Sequence, residues 1–112
     1  MIVTGHIVFG NDAVAFDRAS LRVKLEDSTY ADAPATVLAE ITRLVRYAPA
    51  QSAIEFELLT DAIRDPSQRW TVRAVIDVDS DGTIGRGDYM NVVSVLVPEG
   101  ERVSVTIPVR RV

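Results

Sequence analysis

Short runs in which apolar and polar residues alternate recur along most of this chain. The clearest run is Leu-Arg-Val-Lys-Leu-Glu at residues 21–26, and Ile-Glu-Phe-Glu-Leu at residues 54–58 repeats the pattern. Successive side chains of a β-strand point to opposite faces, so each run buries one row of side chains and exposes the other. A helix would scatter the same residues around its surface. The alternation therefore restricts these segments to strands with one buried face.

Other segments extend this pattern along the chain. Strand-like runs occupy residues 2–9, 70–76, 90–97 and 103–109, and Gly, Pro, Asn or Asp residues separate them. Val is the commonest residue, and β-branched side chains pack well on a pleated sheet. Short turns without intervening helices predict an all-β antiparallel β-sandwich of about seven strands, similar to immunoglobulin or transthyretin domains. The length predicts a single domain over residues 1–112.

Residues 36–47 fit two structures. Val37, Ile41 and Leu44 recur at helical spacing. Val37, Ala39 and Ile41 would equally share one face of a strand. Periodicity alone favours a helix in this segment.

Charge and cysteine content exclude several classes of function. The net charge is −4 and the basic residues are scattered, whereas a nucleic-acid-binding surface needs clustered Lys and Arg. The chain has no cysteine, so it has no disulfide, no thiolate metal site and no cysteine nucleophile. No apolar run approaches the ~20 residues of a membrane-spanning helix. We therefore expect no nucleic-acid partner and no direct membrane span.

Residues 77–88 match the calcium-loop pattern D-x-D-x-D-G-x-I with an acidic residue at its end. Alternate side chains of that pattern converge on a hard cation, Gly permits a sharp turn, and Ile84 is expected to anchor the loop inward. Calcium is the predicted cofactor, and the predicted metal ligands are Asp77, Asp79, Asp81, Thr83 and Asp88. The last ligand is Asp rather than the longer Glu, and strands flank the loop, so we expect weaker binding than in helix-flanked loops.

A plain β-hairpin is the alternative interpretation of the same loop. Asp81 and Gly82 would make the turn, and nearby carboxylates would accept hydrogen bonds from backbone amides. In the calcium interpretation the ion stiffens the hairpin and performs no chemistry. Both interpretations are compatible with the sequence.

Groups suited to catalysis are sparse. His6 is the only histidine and falls on the outer face of a terminal strand, without an evident partner. Glu55 and Glu57 share one strand face, which is typical of a solvated surface rather than of paired catalytic carboxylates. Trp70 is expected to be a core residue. We therefore predict no catalytic residues and no enzymatic activity.

Several sequence blocks resemble one bacterial family. Leu-Glu-Asp-Ser at residues 25–28 and Ala-Asp-Ala-Pro-Ala at residues 31–35 resemble the signature of the YbaY and YscW family of type III secretion lipoprotein chaperones, or pilotin-like domains. Val-Leu-Ala-Glu at residues 37–40, Trp-Thr-Val-Arg-Ala at 70–74 and Gly-Asp-Tyr at 87–89 follow in the family's order. The resemblance covers nearly the whole chain.

The resemblance implies a β-sandwich in which residues 36–47 form a strand, in a bacterial protein without enzymatic activity. Named members are outer-membrane lipoproteins, and those of secretion systems escort a secretin subunit to the outer membrane. The implied partner is therefore a protein or peptide, such as a component of a secretion system or of the outer membrane. The alternative function is a calcium-stabilised domain for structural self-association in the cytoplasm.

The sequence departs from that family at its start, where it has neither a signal peptide nor a cysteine for lipid attachment. We expect a location in the periplasm or cell envelope if a signal segment was removed. If Met1 is the true start, we expect the cytoplasm.

Overall fold

The structure, a computed structural model, describes residues 1–30, 32–51 and 53–112. Ala31, the first residue of the Ala-Asp-Ala-Pro-Ala block, lies outside the described residues. The strands are, in chain order, β1 (Ile2–Phe9), β2 (Phe16–Asp27), β3 (Thr36–Tyr47), β4 (Ile54–Leu59), β5 (Trp70–Asp77), β6 (Tyr89–Met90), β7 (Val95–Leu96) and β8 (Arg102–Arg111). This described part contains no helix of the length and apolar character that crossing a membrane requires.

The strands follow one another in a single hydrogen-bonded path that nearly closes into a barrel. The order is β3-β2-β5-β6-β8-β1-β4, and β7 pairs with β5 beside this path. The prediction of an all-β fold is confirmed. The finer expectation of an immunoglobulin- or transthyretin-like sandwich of about seven strands is not confirmed. The described residues form eight strands, and β6 pairs with both β5 and β8, which joins the groups that a sandwich would keep as separate sheets.

The first and last strands lie side by side and run parallel. β1 pairs with β8 from Ile2 opposite Arg102 to Phe9 opposite Val109, and it pairs antiparallel with β4 on its other side. The expectation of a purely antiparallel arrangement is therefore wrong at this pair. Short turns predict antiparallel neighbours, but they carry no information about strands from opposite ends of the chain.

Residues 36–47 form a strand, as the family resemblance implied. β3 pairs with β2 along nearly its whole length. Ala39 and Ile41 pack against the core, whereas Leu44, which the helical spacing grouped with them, is 57% exposed. Pairing decides between the two patterns because a helix here would leave one edge of β2 without backbone hydrogen bonds.

The apolar stretch predicted as one strand over residues 90–97 is divided into β6 and β7. Between β6 and β7, the side chain of Asn91 forms hydrogen bonds with backbone groups in place of a paired strand. Its Oδ1 accepts the N–H of Ala74 at 2.9 Å, and its Nδ2 donates to the carbonyl of Val93 at 3.0 Å. Because the side chain satisfies these groups, the backbone leaves the sheet here without orphaned polar atoms. Val93 is consequently 72% exposed.

The inward-facing rows of the strands form the apolar core. Burial of this apolar surface is the main favourable term in folding. Its largest fully buried side chains include Trp70, Tyr89, Ile7, Leu21, Leu25 and Leu58. The prediction that Trp70 is a core residue is confirmed, because the side chain is 1% exposed.

β3 and β4, the two ends of the path, approach each other and leave a seam. The guanidinium of Arg43 donates to the carbonyl of Glu55 near one end of the seam. Near the other end the hydroxyl of Thr60 donates to the carbonyl of Leu38 at 3.3 Å. Side chains therefore bridge the edges that a continuous ladder would close, which reduces the exposed strand edge.

The close approach of β1 and β4 yields a prediction at Gly5. A Cβ atom at this position would lie 2.2 Å from the ring of Phe56, its partner on β4. We predict that Gly5→Ala lowers the free energy of unfolding by roughly 1–3 kcal/mol, because the buried ring cannot move without disturbing the core. Urea denaturation measures the change. Gly85→Ala is the matched control, since no atom lies within 4 Å of its Cβ. Equal stability of both variants would contradict the prediction.

Candidate functional site

The acidic loop, residues 77–88, connects β5 to β6. These strands pair antiparallel, so the loop is a hairpin connection, although it is longer than the predicted tight turn at Asp81 and Gly82. Gly82 and Gly87 have φ angles of 85° and 95°, a region that favours glycine. These conformations fold the loop back on itself and bring its acidic side chains together.

Asp88 organises the loop from within. Its side chain is 2% exposed. Oδ1 accepts the N–H of Val78 at 2.7 Å, and Oδ2 accepts the N–H of Gly85 at 2.9 Å. Hydrogen bonds to an ionised carboxylate are stronger than neutral ones, and they offset the cost of burying it. The backbone carbonyl of Asp88 also accepts the N–H of Val112 at 2.7 Å, which fastens the C-terminus to the loop.

Two further carboxylates cap backbone amides. Oδ2 of Asp77 accepts the N–H of Gly82 at 2.8 Å, and Oδ1 of Asp81 accepts the N–H of Thr83 at 3.0 Å. The hairpin interpretation predicted such caps, and they are confirmed. Oδ1 of Asp77 differs from these atoms, because it is buried and no group in the described part of the chain forms a hydrogen bond with it.

Oxygen atoms of four aspartates lie within 4.8 Å of one another, and these residues are Asp77, Asp79, Asp81 and Asp88. Like charges at this distance repel. The hydrogen bond to Asp77 raises the pKa of Asp79, and burial and the charge of Asp81 raise it further. Burial raises the pKa of Asp77, but hydrogen bonds from Asp79 and from loop amides outweigh burial and lower the pKa overall. The crowding of these carboxyls therefore shifts the pKa values of Asp77 and Asp79 in opposite directions.

Two other residues of the predicted motif lie on the surface. Thr83 is exposed, and its role as a metal ligand stays a prediction. The expectation that Ile84 anchors the loop inward is wrong, because Ile84 is 41% exposed and lies on the outer face of the sheet with Leu44 and Val75. Tyr89, the first residue after the loop, is 2% exposed. Its side chain, rather than that of Ile84, fills the core at this end of the loop.

A groove of about 360 Å³ lies on the outer face of the sheet beside the acidic loop. β2 and β5 form its floor, which includes Lys24 and Arg73. Leu44 of β3 lines one side, and Ser80 and Ile84 of the acidic loop line another. The groove therefore combines apolar and basic side chains with one acidic residue, Asp77, on a concave surface.

The strand register places basic side chains together on the groove floor. Lys24 of β2 lies directly opposite Arg73 of β5, and Arg22 follows on the same face of β2. Like charges directly opposite each other destabilise a sheet. Acidic side chains compensate part of this charge, because Oε1 of Glu26 lies 3.6 Å from Nε of Arg73 and Oε1 of Glu40 lies 3.3 Å from Nε of Arg22. The sequence indicated only solvated charges here, since the residues meet through pairing of strands distant in the chain.

His6 and Glu55 lie on the outer face, as predicted. Nε2 of His6 lies 3.3 Å from Oε1 of Glu55, and the two side chains are 47% and 80% exposed. Glu57 is exposed as well. An exposed pair of this kind contributes little to stability. None of these residues lines the groove beside the acidic loop.

Comparison with known proteins identifies relatives of this chain. The sequence model of the family described as "Type III secretion system lipoprotein chaperone (YscW)" matches residues 2–107. The solved structure of an alternative pilotin from the type II secretion system of Vibrio cholerae is similar, with a TM-score of 0.80 and 28% sequence identity. That match covers 100% of this chain and 96% of the pilotin chain. No curated protein matches significantly. The family resemblance found in the sequence is thereby confirmed.

The buried position of Asp88 generates a stability prediction. Asp88→Ala removes the acceptor of the N–H groups of Val78 and Gly85, and we predict a loss of about 3 kcal/mol in the free energy of unfolding. Urea denaturation in the presence of a chelator measures it. Asp81→Ala, which removes an exposed carboxylate of the same loop, is the control and should cost clearly less. Similar losses in both variants would show that Asp88 does not organise the loop.

Proposed function

Because the chain belongs to the family of type III secretion system lipoprotein chaperones (YscW), we propose that it binds a peptide segment of a secretin subunit in a bacterial cell envelope. The activity is binding without catalysis. The observation that carries the proposal is the pilotin structure, whose fold matches this chain over its whole length. Neither comparison supports the alternative of a cytoplasmic domain for self-association.

The groove on β2 and β5 is the proposed binding surface. Peptide segments bind to concave surfaces that offer apolar contacts and a few polar groups to fix orientation. Leu44 and Ile84 are 57% and 41% exposed and face this groove, so an apolar side chain of the partner would remove both from water. Val75 on the floor extends the same apolar surface.

The basic floor indicates the chemistry of the partner segment. A carboxylate placed between Lys24 and Arg73 would relieve the repulsion between these opposed side chains and accept charged hydrogen bonds from both. The proposed segment therefore carries an acidic side chain beside an apolar one. The chain as a whole has a net charge of −4, so attraction of an acidic segment depends on this local surface.

We predict that the double variant Lys24→Glu with Arg73→Glu weakens binding of the partner peptide by at least roughly tenfold, because attraction to carboxylates becomes repulsion. Fluorescence polarisation measures the affinity, with overlapping peptides that cover the secretin subunit encoded in the same genome. The control is the double variant Arg102→Glu with Arg110→Glu, which makes the same charge change at exposed positions of β8 outside the groove.

The outcomes test the proposed function and the proposed binding surface separately. If no secretin peptide binds to the unaltered protein, the proposed function is wrong. If a peptide binds and the groove variant affects it no more than the control does, the groove is not the binding surface. Circular dichroism of both variants establishes that they are folded before affinities are compared.

A further inference from the structure

We infer that the acidic loop binds one calcium ion through the carboxylates of Asp77, Asp79, Asp81 and Asp88. Each of these four residues offers an oxygen, and the oxygens lie within 4.8 Å of one another. Calcium–oxygen distances are about 2.3–2.6 Å, so oxygens up to about 5 Å apart can share one ion. The spacing of the carboxylates therefore fits a single calcium ion at their centre. This site does not depend on peptide binding in the groove.

Asp77 provides a second, independent indication of a ligand. The residue is 8% exposed as a whole, and its Oδ1 is buried without a hydrogen-bond partner among the residues that the structure describes. A buried carboxylate oxygen without a partner is costly. A cation held between these carboxylates would satisfy this oxygen.

The existing hydrogen bonds leave the cluster preformed. Asp88 is fixed by the amides of Val78 and Gly85, and Asp77 is fixed by the amide of Gly82. Each of these carboxylates retains lone pairs after its amide bonds are made. The loop backbone therefore holds the carboxylates near one another despite their repulsion, and less reorganisation is needed when an ion binds.

The donor set distinguishes calcium from other metals. All four proposed ligands are carboxylate oxygens, which suit Ca²⁺ and Mg²⁺ better than the metals that prefer nitrogen or sulfur. Mg²⁺ demands a near-ideal octahedron at about 2.0–2.1 Å, whereas Ca²⁺ accepts irregular arrangements of oxygen ligands. Because the last acid is Asp88 rather than a bidentate Glu, we expect a Kd on the order of 10⁻⁴ to 10⁻³ M.

Calcium binding should stabilise the whole fold, because the loop leads directly into β6. Strand β6 pairs with β5 and with β8 and links the two groups of strands. An ion that neutralises the carboxylates removes a repulsion that opposes closure of this hairpin. Only the folded loop gathers these ligands, so binding shifts the unfolding equilibrium towards the native state.

Thermal melts in chelator, in calcium and in magnesium test the site, together with calorimetric titration of calcium. We predict that about 5 mM calcium raises the melting temperature by roughly 5 °C, and that magnesium raises it less. Asp79→Asn should melt above the unaltered protein in chelator, because one repelling charge is gone. The same variant should lose most of the calcium-dependent rise. Asp61→Asn, at an exposed position outside the loop, is the matched control.

Each result decides a part of the inference. An unchanged melting temperature together with no heat of calcium binding overturns the site. A calcium-dependent rise that is as large in Asp79→Asn as in Asp61→Asn places the ion elsewhere and also overturns it. An equal or larger rise with magnesium overturns the assignment of calcium. A rise that is specific to calcium and lost only in Asp79→Asn supports the site as inferred.

Discussion

The pairing of β6 with both of its neighbours holds the two groups of strands together. β3, β2 and β5 lie on one side of it, and β8, β1 and β4 lie on the other. A ladder of two residues is weak by itself, so other contacts must support it. The ring of Tyr89 is buried against Phe9 at 5.4 Å between centroids, and its hydroxyl accepts the N–H of Val14 at 2.9 Å. Aromatic packing thus stabilises this short strand from inside the core.

The acidic loop supports the pairing of β6 from outside the core. Asp88 precedes β6 directly, and its hydrogen bonds join the start of the loop, its middle and the C-terminal Val112. The loop also contributes Ser80 and Ile84 to the groove. The conformation of the loop therefore affects both the pairing of β6 and the wall of the groove. A cation in the loop would link them, because binding stabilises whichever conformation holds the ligands together.

The groove proposed as the binding surface brings together residues that do not favour the stability of a sheet. Lys24 and Arg73 are like charges directly opposite each other, and Leu44 and Ile84 are exposed apolar side chains, yet all four lie together on one concave face. Proteins tend to break local rules of stability where they bind partners. The proposed partner segment, with an acidic and an apolar side chain, would complement this surface.

Local pattern in the sequence by itself determined the strands that alternate clearly and the spacing of acids in the candidate metal loop. Alternation at residues 21–26 dictates a buried face whatever lies beside it, and acids spaced along residues 77–88 converge once a glycine-rich turn forms. Only the tertiary structure decided which strands are neighbours, including the parallel pairing of β1 with β8, the pairing of residues 36–47 with β2 and the meeting of Lys24 with Arg73. Strand neighbours are set by backbone hydrogen bonds between segments that are distant in the chain. The periodicity within one segment does not depend on which strand pairs with it.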